Sequence, residues 1–342
     1  MQEGLVSIIT PCYNTAHYVS RLLDSVLSQT YPWLEMIVVD DGSTDNLSEI
    51  INVYISRFEQ KGYSLSCVRQ ENSGQSVAIQ NALKLVRGEF LVWPDSDDYY
   101  ASKHSIEKMV RALQNSSLEF AMVRVQEQVV TDDDSKHLLY IAGLGRDYEE
   151  PSSLFEDCLY GRNGYYFCPG GYMVRMSALK ETTHLNIYTA KDAGQNWQLM
   201  LPVLYRYRCL TIPEVLYTVV ARETSHSRGL FAGYDRTLHK LQVYEDTVQN
   251  TLDRIEMDEQ LKASYKSRVK IQYLHKKLLL DYRHVQRKTF FERYECIKKV
   301  DGKSIGLLER VLYVTALVHM NVLLLLKKII LYSYHKLHHD KY

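Results

Sequence analysis

Two acidic clusters hold the residues with the most chemistry in this chain. Asp40-Asp41-Gly42-Ser43 follows the apolar run from Glu35 to Val39, and Asp95-Ser96-Asp97-Asp98 follows the run from Glu89 to Pro94. Carboxylates gathered in one place repel one another unless a cation or hydrogen-bond donors offset their charge. Hard oxygen ligands of this kind suit Mg²⁺ or Mn²⁺. The first expectation is therefore a metal-dependent site for a phosphorylated substrate.

The elements that must position these clusters are short strands. Each preceding run is rich in β-branched and aromatic residues, so it reads as a buried strand that delivers its carboxylates to the C-terminal edge of a sheet. Open α/β sheets bind their ligands at that edge. From Leu5 to about Ser117 the pattern alternates. Strands are expected at Val6–Pro11, Met36–Val39, Leu65–Arg69 and Phe90–Trp93, with helices at Tyr18–Gln29, Ser48–Phe58 and Gln75–Val86. Such alternation predicts an α/β fold with a mainly parallel sheet and helices on both faces.

Beyond Glu119 the regularity fades. Phe120–Val130 reads as a further strand, followed by an acidic turn at Thr131–Ser135, and Tyr160–Tyr166 and Pro169–Tyr172 are rich in glycine and tyrosine. Tyr234 to about Lys299 reads as a long helical stretch in which His275 and His284 are expected on the surface. Asp301-Gly302-Lys303 breaks it, and a last helix is expected from Leu307 to about His335. Its apolar segment, Val311–Leu326, is interrupted at His319 and Asn321 and falls short of the roughly 20 residues that a membrane span requires. A basic end at Lys327-Lys328 and from His335 to Lys341 fits a helix lying on an anionic membrane surface.

The 342 residues are 46% hydrophobic, enough for a sizeable core. Lys+Arg and Asp+Glu each total 41, so net charge supplies no argument for nucleic-acid binding. Cys12, Cys67, Cys158, Cys168, Cys209 and Cys296 show no metal-finger spacing and read as reduced thiols of an intracellular protein. The first residues form a strand rather than a secretory leader, which together with the basic C-terminus predicts a cytoplasmic protein, peripheral on the inner leaflet.

Three ordered motifs resemble the family 2 glycosyltransferases of the GT-A fold: Val6-Ser7-Ile8-Ile9-Thr10-Pro11-Cys12-Tyr13-Asn14, Val38-Val39-Asp40-Asp41-Gly42-Ser43-Thr44-Asp45 and Gly88-Glu89-Phe90-Leu91-Val92-Trp93-Pro94-Asp95-Ser96-Asp97-Asp98. The resemblance covers about the first third of the chain. It implies a nucleotide-diphosphate sugar donor, inversion at the anomeric carbon, and a GT-A domain over 1–230 with a helical region over 231–342. The donor half would be 1–117 and the acceptor half 118–230. Pro11, Tyr13 and Asn14 would line the base and ribose pocket, and Asp41 would accept a hydrogen bond from the base. Gly74, which opens the third helix, would belong to the nucleotide-binding set. Asp95 and Ser96 would contact the ribose, while Asp97 and Asp98 would hold Mn²⁺ or Mg²⁺ on the diphosphate. In Arg222-Glu223-Thr224-Ser225-His226-Ser227-Arg228, which resembles the segment that closes over the diphosphate in such enzymes, His226 would complete the metal shell and Arg228 would bind phosphate.

The chain departs from that pattern twice. In Gly74-Gln75-Ser76-Val77-Ala78-Ile79-Gln80-Asn81 the family's usual Arg is Ile79, so a cation near the carboxylates is missing, with Arg69 or Arg87 as the available substitutes. Where many members carry a Glu-Asp pair, this chain has Gln195-Asn196, and an amide cannot act as a base near neutral pH. Asp192 is the nearest replacement; in the alternative, Gln195 and Asn196 orient the acceptor by hydrogen bonds while another group takes the proton. The expected function is transfer of a sugar, from a UDP-sugar or similar donor, to a hydroxyl of a glycan or lipid-linked glycan. The alternative is a protein that binds nucleotide sugars without turnover. A nucleotidyltransferase would need a glycine- and lysine-rich loop where Pro11–Asn14 stands, and a receiver domain would end near Asn115.

Overall fold

A computed structural model describes residues 1–133, 136–143, 151–222 and 233–317. The chain divides into two units, one formed by Met1–Ser225 with Asp246–Asp258 and the other by His226–Glu245 with Glu259–Tyr342.

The first unit alternates strand and helix as its apolar spacing demands. The order is β1 (Gln2–Cys12), α1 (Ala16–Leu27), β2 (Leu34–Asp40), α2 (Leu47–Lys61), β3 (Ser64–Arg69), α3 (Gln75–Leu83) and β4 (Gly88–Val92). Then come β5 (Tyr99–Tyr100), α4 (Ser105–Gln114), β6 (Phe120–Thr131), β7 (Leu138–Ala142), α5 (Pro151–Tyr160), a 3-10 turn at Pro169–Gly171, β8 (Tyr172–Arg175), α6 (Met176–Thr183), α7 (Asn196–Arg206) and β9 (Arg208–Ala221). Every residue of β2 is buried, as expected for a strand covered on both faces. Helix α1 buries Val19, Leu22, Leu23 and Val26, the spacing of a helix seated on a sheet by one face.

One sheet runs in the order β3-β2-β1-β4-β8-β6-β9-β5, with β7 paired to β6 outside this path. Strands β3, β2, β1 and β4 are mutually parallel. Their register sets Cys12 beside Asp40 and Asp40 beside Arg69, so the last residues of three strands meet at one edge. Strand β8 is antiparallel to both β4 and β6, which makes the sheet mixed. The core packs α1, α2 and α4 against it through Leu22, Leu23, Phe58, Met109 and Leu113.

The second unit holds the start of α8 (Tyr234–Arg254), α9 (Glu259–Arg283), α10 (Arg287–Asp301) and a helix at 307–317. The single helical stretch expected from the sequence is thus broken twice. The second break, at 284–286, includes Val285 with φ +62, a conformation that a β-branched side chain resists. Phe290, Tyr294, Ile297, Leu278, Ile305 and Ala316 form its core. Asp281, fully buried, accepts hydrogen bonds from Tyr234 Oη and Arg293 Nε, both at 2.6 Å. His275 is not on the surface as expected. Its two ring nitrogens engage Glu309 at 3.0 Å and Ser304 at 3.1 Å, tying the 307–317 helix to α9. The remainder of the expected last helix lies outside the described residues.

Candidate active site

The C-terminal ends of β1, β2 and β4 carry the residues singled out by the sequence. Pro11 is the last but one residue of β1 and is buried, whereas Tyr13 and Asn14 are exposed in the turn beyond it. Asn14 adopts φ +52 and joins two turns: its N–H donates to Ser43 Oγ at 3.0 Å, and its Oδ1 accepts from Thr44 N at 2.8 Å. Burial pushes the Cys12 thiol up to about 12, which keeps it protonated.

The two aspartates after β2 do different things. Asp40 is buried, accepts from Ser43 N at 2.7 Å, and is ion-paired with Arg69 at 2.7 Å. Asp41, also buried, takes three donors: Gln70 Nε2 and Ser73 N at 2.8 Å on Oδ1, and Gly74 N at 2.9 Å on Oδ2. It therefore holds the segment that leads into α3, and Oδ2 retains a lone pair for one further donor. Gly74 has φ +94, and a Cβ there would lie 1.9 Å from the carbonyl oxygen of Lys191. Only glycine allows that approach. Next to it Ser76 Oγ donates to Ala190 O at 2.8 Å and accepts from Ala190 N at 3.0 Å. The segment before α7 is thereby stitched to the first turn of α3, and Asp192 follows it as an exposed residue.

After β4, Trp93 is fully buried and donates to Asn196 Oδ1 at 3.3 Å. Asp95 Oδ1 accepts from Gln75 Nε2 and from Gln195 Nε2, each at 3.1 Å. A hydrogen-bonded chain thus runs from Asp41 through Gly74 and Gln75 to Asp95 and Gln195. Ser96 is buried. Asp97 is ion-paired with Arg222, whose guanidinium carbon lies 4.1 Å from the Tyr18 ring centroid, and Arg21 donates to the Asp97 carbonyl at 3.2 Å. Asp98 is buried and accepts from Val220 N at 2.9 Å, so its carboxylate clamps this turn to β9.

Electrostatics follow from this crowding. Burial and the neighbouring Asp97 push Asp95 up to about 7. Burial, then Asp97 and Asp95, hold the Asp98 carboxyl well above the usual carboxylate range. Behind them Glu127, on β6, is likewise raised well above its ordinary value, first by burial, and its Oε2 has no hydrogen-bond partner.

The missing cation at Ile79, a fully buried side chain, is made good from elsewhere. Arg69 serves Asp40, as foreseen, and Arg222 serves Asp97. Arg87 does not contribute, because it pairs with Glu35, the second residue of β2, at the opposite end of the strand. Sequence reasoning also passed over Gln75, Gln195 and Arg222 as partners of the acidic motif. Glu127 stands between Gln126 and Gln128 in a strand that also carries Arg124, so no local pattern singled it out. His226 and Arg228 lie outside the described residues.

The donor set suits a divalent cation. Among the described residues no group of three or more His, Cys, Asp and Glu side chains could hold a metal by itself. Mg²⁺-like ions, however, commonly take only one or two carboxylates and complete their shell with water and substrate phosphates. Crowded acids at a sheet edge fit that requirement.

Comparison with known proteins agrees with this geometry. The family model for glycosyl transferase family 2 matches residues 7–183, just over half of the 342-residue chain. The chain belongs to glycosyl transferase family 2. The family 2 match takes in β1 to α6, including both acidic clusters. A relative in Bacillus subtilis (strain 168), named putative teichuronic acid biosynthesis glycosyltransferase TuaG, is 37% identical over 119 residues, which is 35% of this chain and 46% of that protein. The match thus spans about half the length of that relative.

Two solved structures share the GT-A fold. S. aureus TarS 1-349, in complex with UDP-GlcNAc, superposes with a TM-score of 0.58 at 18% identity, covering 91% of this chain and 87% of that one. The mannosyltransferase PcManGT of Pyrobaculum calidifontis, in complex with GDP-Man and Mn²⁺, gives 0.52 at 16% identity, covering 98% and 88%. At these identities the likeness establishes the fold.

Proposed function

We propose that this family 2 protein is a metal-dependent, inverting glycosyltransferase that moves a sugar from a nucleotide-diphosphate sugar to a glycan hydroxyl in polysaccharide biosynthesis. The observation that carries this reading is the hydrogen-bonded chain from Asp41 to Asp95 along the C-terminal edge of β2 and β4. In this reading Asp41 at one end accepts from the base and Asp95 at the other serves the ribose, with Asp97 two residues further on. The Mn²⁺-containing complex of PcManGT and the UDP-GlcNAc complex of TarS support the ligand class. The TuaG name, which refers to teichuronic acid biosynthesis, supports a role in building a polymer of that kind.

In this reading Asp41, with Pro11, Tyr13 and Asn14 around it, binds the base, and Asp95 and Ser96 bind the ribose. Asp97 holds Mn²⁺ or Mg²⁺, with His226 as a further ligand and Arg228 on the diphosphate. Asp98, whose Oδ1 is held by Val220 N, stands beside Asp97 as a second carboxylate for the cation. The cation, when bound, offsets the charge that develops on the leaving diphosphate. Asp192 takes the proton from the acceptor hydroxyl, since the amides of Gln195 and Asn196 cannot.

The domain reading is a GT-A domain over 1–230 and a helical region over 231–342 that carries the protein to a membrane surface, where a lipid-linked acceptor would be concentrated. No helix among the described residues is long and apolar enough to cross a membrane.

The amides at 195 and 196 also favour a second reading, in which nucleotide sugar is bound but not turned over. A panel of nucleotide sugars with Mn²⁺ or Mg²⁺ and a glycan acceptor, read as nucleotide release, separates the two. Release that is lost in Asp192→Asn while nucleotide binding survives supports the enzyme. Binding with no release for any donor supports the second reading.

A further inference from the structure

One group of the site is left incomplete. Gln195 is 2% exposed, and its Oε1 has no hydrogen-bond partner, although its Nε2 donates to Asp95. Rotating the amide would not satisfy it, because Oε1 would then face the carboxylate oxygen of Asp95. A buried acceptor left without a donor is costly, and roughly 90% or more of comparable groups are paired. Asp95 Oδ1, meanwhile, is occupied by both Gln75 and Gln195, which leaves Oδ2 to take a ligand. The two side chains therefore offer two acceptor atoms while hydrogen-bonded to each other.

We propose that Gln195 is a hydroxyl-reading residue: Oε1 accepts a hydrogen bond from one hydroxyl of the bound nucleotide sugar while Asp95 Oδ2 holds another. This rests on the nucleotide-sugar reading above. An amide serves Asp95 as a donor and the ligand as an acceptor at once.

The test is a ligand-deletion cycle by titration calorimetry on the full chain with Mn²⁺. UDP, GDP, their 2′-deoxy and 3′-deoxy forms, and the corresponding nucleotide sugars are titrated into wild type and into Gln195→Met, whose side chain is similar in size and apolar. The variant is expected to bind the hydroxylated ligand about ten-fold more weakly, the value of one net hydrogen bond. It should bind the ligand lacking the read hydroxyl as wild type does. A difference between ribose and deoxyribose nucleotides assigns the hydroxyl to the ribose, and a difference seen only with nucleotide sugars assigns it to the transferred sugar. Equal losses for all ligands, or none for any, in a variant with unchanged Tm would overturn the proposal. Failure of wild type to bind any of these nucleotides rejects the nucleotide-sugar reading itself.

Discussion

Arg222, one residue past the end of β9, is ion-paired with Asp97 and stacked over Tyr18. The pair joins residues 125 apart and places the cation that Ile79 cannot supply against the carboxylate proposed to hold a metal. Arginine and divalent cation thus compete for the same oxygens in the nucleotide-free protein. Removing the competitor in Arg222→Met should raise Mn²⁺ affinity about five-fold, the equivalent of a partly exposed ion pair of about 1 kcal/mol. Mn²⁺ titration followed by electron paramagnetic resonance reads this directly. An unchanged affinity would mean that Asp97 is not the metal ligand.

Gly74 is where α3 meets the segment leading to α7. Its φ of +94 is strained for any other residue, by about 1–3 kcal/mol, and a methyl group would collide with Lys191 O. Gly74→Ala should lower stability by at least that amount and displace the Lys191–Gln195 segment. Nucleotide affinity should then fall together with Tm.

Glu127 ties stability to pH. Its carboxyl is raised above its ordinary value of 4.5, chiefly by burial, so the folded protein keeps a proton that the unfolded chain has lost. The stability associated with the neutral form is present below the unfolded pKa and is lost as pH rises through the folded one. Glu127→Gln cannot ionise. Relative to wild type it should gain stability steadily as pH rises above the ordinary carboxylate range, measured by chemical denaturation. A constant difference above that range would show that Glu127 titrates normally.

The helix at 307–317 turns Leu307, Leu308, Val311, Val314 and Leu317 to the surface, each at least half exposed or close to it. Its other side, through Leu312, Tyr313 and Ala316, packs on α9 and α10. If this surface meets a membrane, full-length Leu307→Asp/Val311→Asp/Val314→Asp should lose co-flotation with vesicles containing anionic phospholipid, while wild type floats. Equal flotation of the two would remove the helix face from the account.

How much of this was legible in the sequence depends on whether the signal was local. The four parallel strands were placed from apolar runs bounded by turn residues, and their carboxylates do lie together at one edge. Strand β1 starts earlier than its apolar run because Gln2 still pairs with Gly88 through the backbone, which side-chain pattern cannot report. Helix α3 ends at Leu83, short of Val86, since the chain must turn into β4. The breaks between α8, α9 and α10 carry neither Gly nor Pro at 255–258 or 284–286, so composition showed one continuous helix. At the site, the Asp95 to Gln195 bond spans 100 residues and the Arg222 pair more, and no periodicity encodes such contacts. Gln195 was visible only as a departure from a family pattern, and its bond to Asp95 gives the departure a physical meaning.

The central claim is that the edge formed by Asp41, Asp95 and Asp97 binds a nucleotide diphosphate through a divalent cation. Calorimetric titration of UDP and GDP into the full chain, with Mn²⁺ and with EDTA, tests it most directly when repeated on Asp97→Ala. The account predicts binding of at least one nucleotide that requires Mn²⁺ and falls by about two orders of magnitude in Asp97→Ala, with Tm unchanged. Nucleotide binding that is equally tight in EDTA and in Asp97→Ala would contradict it.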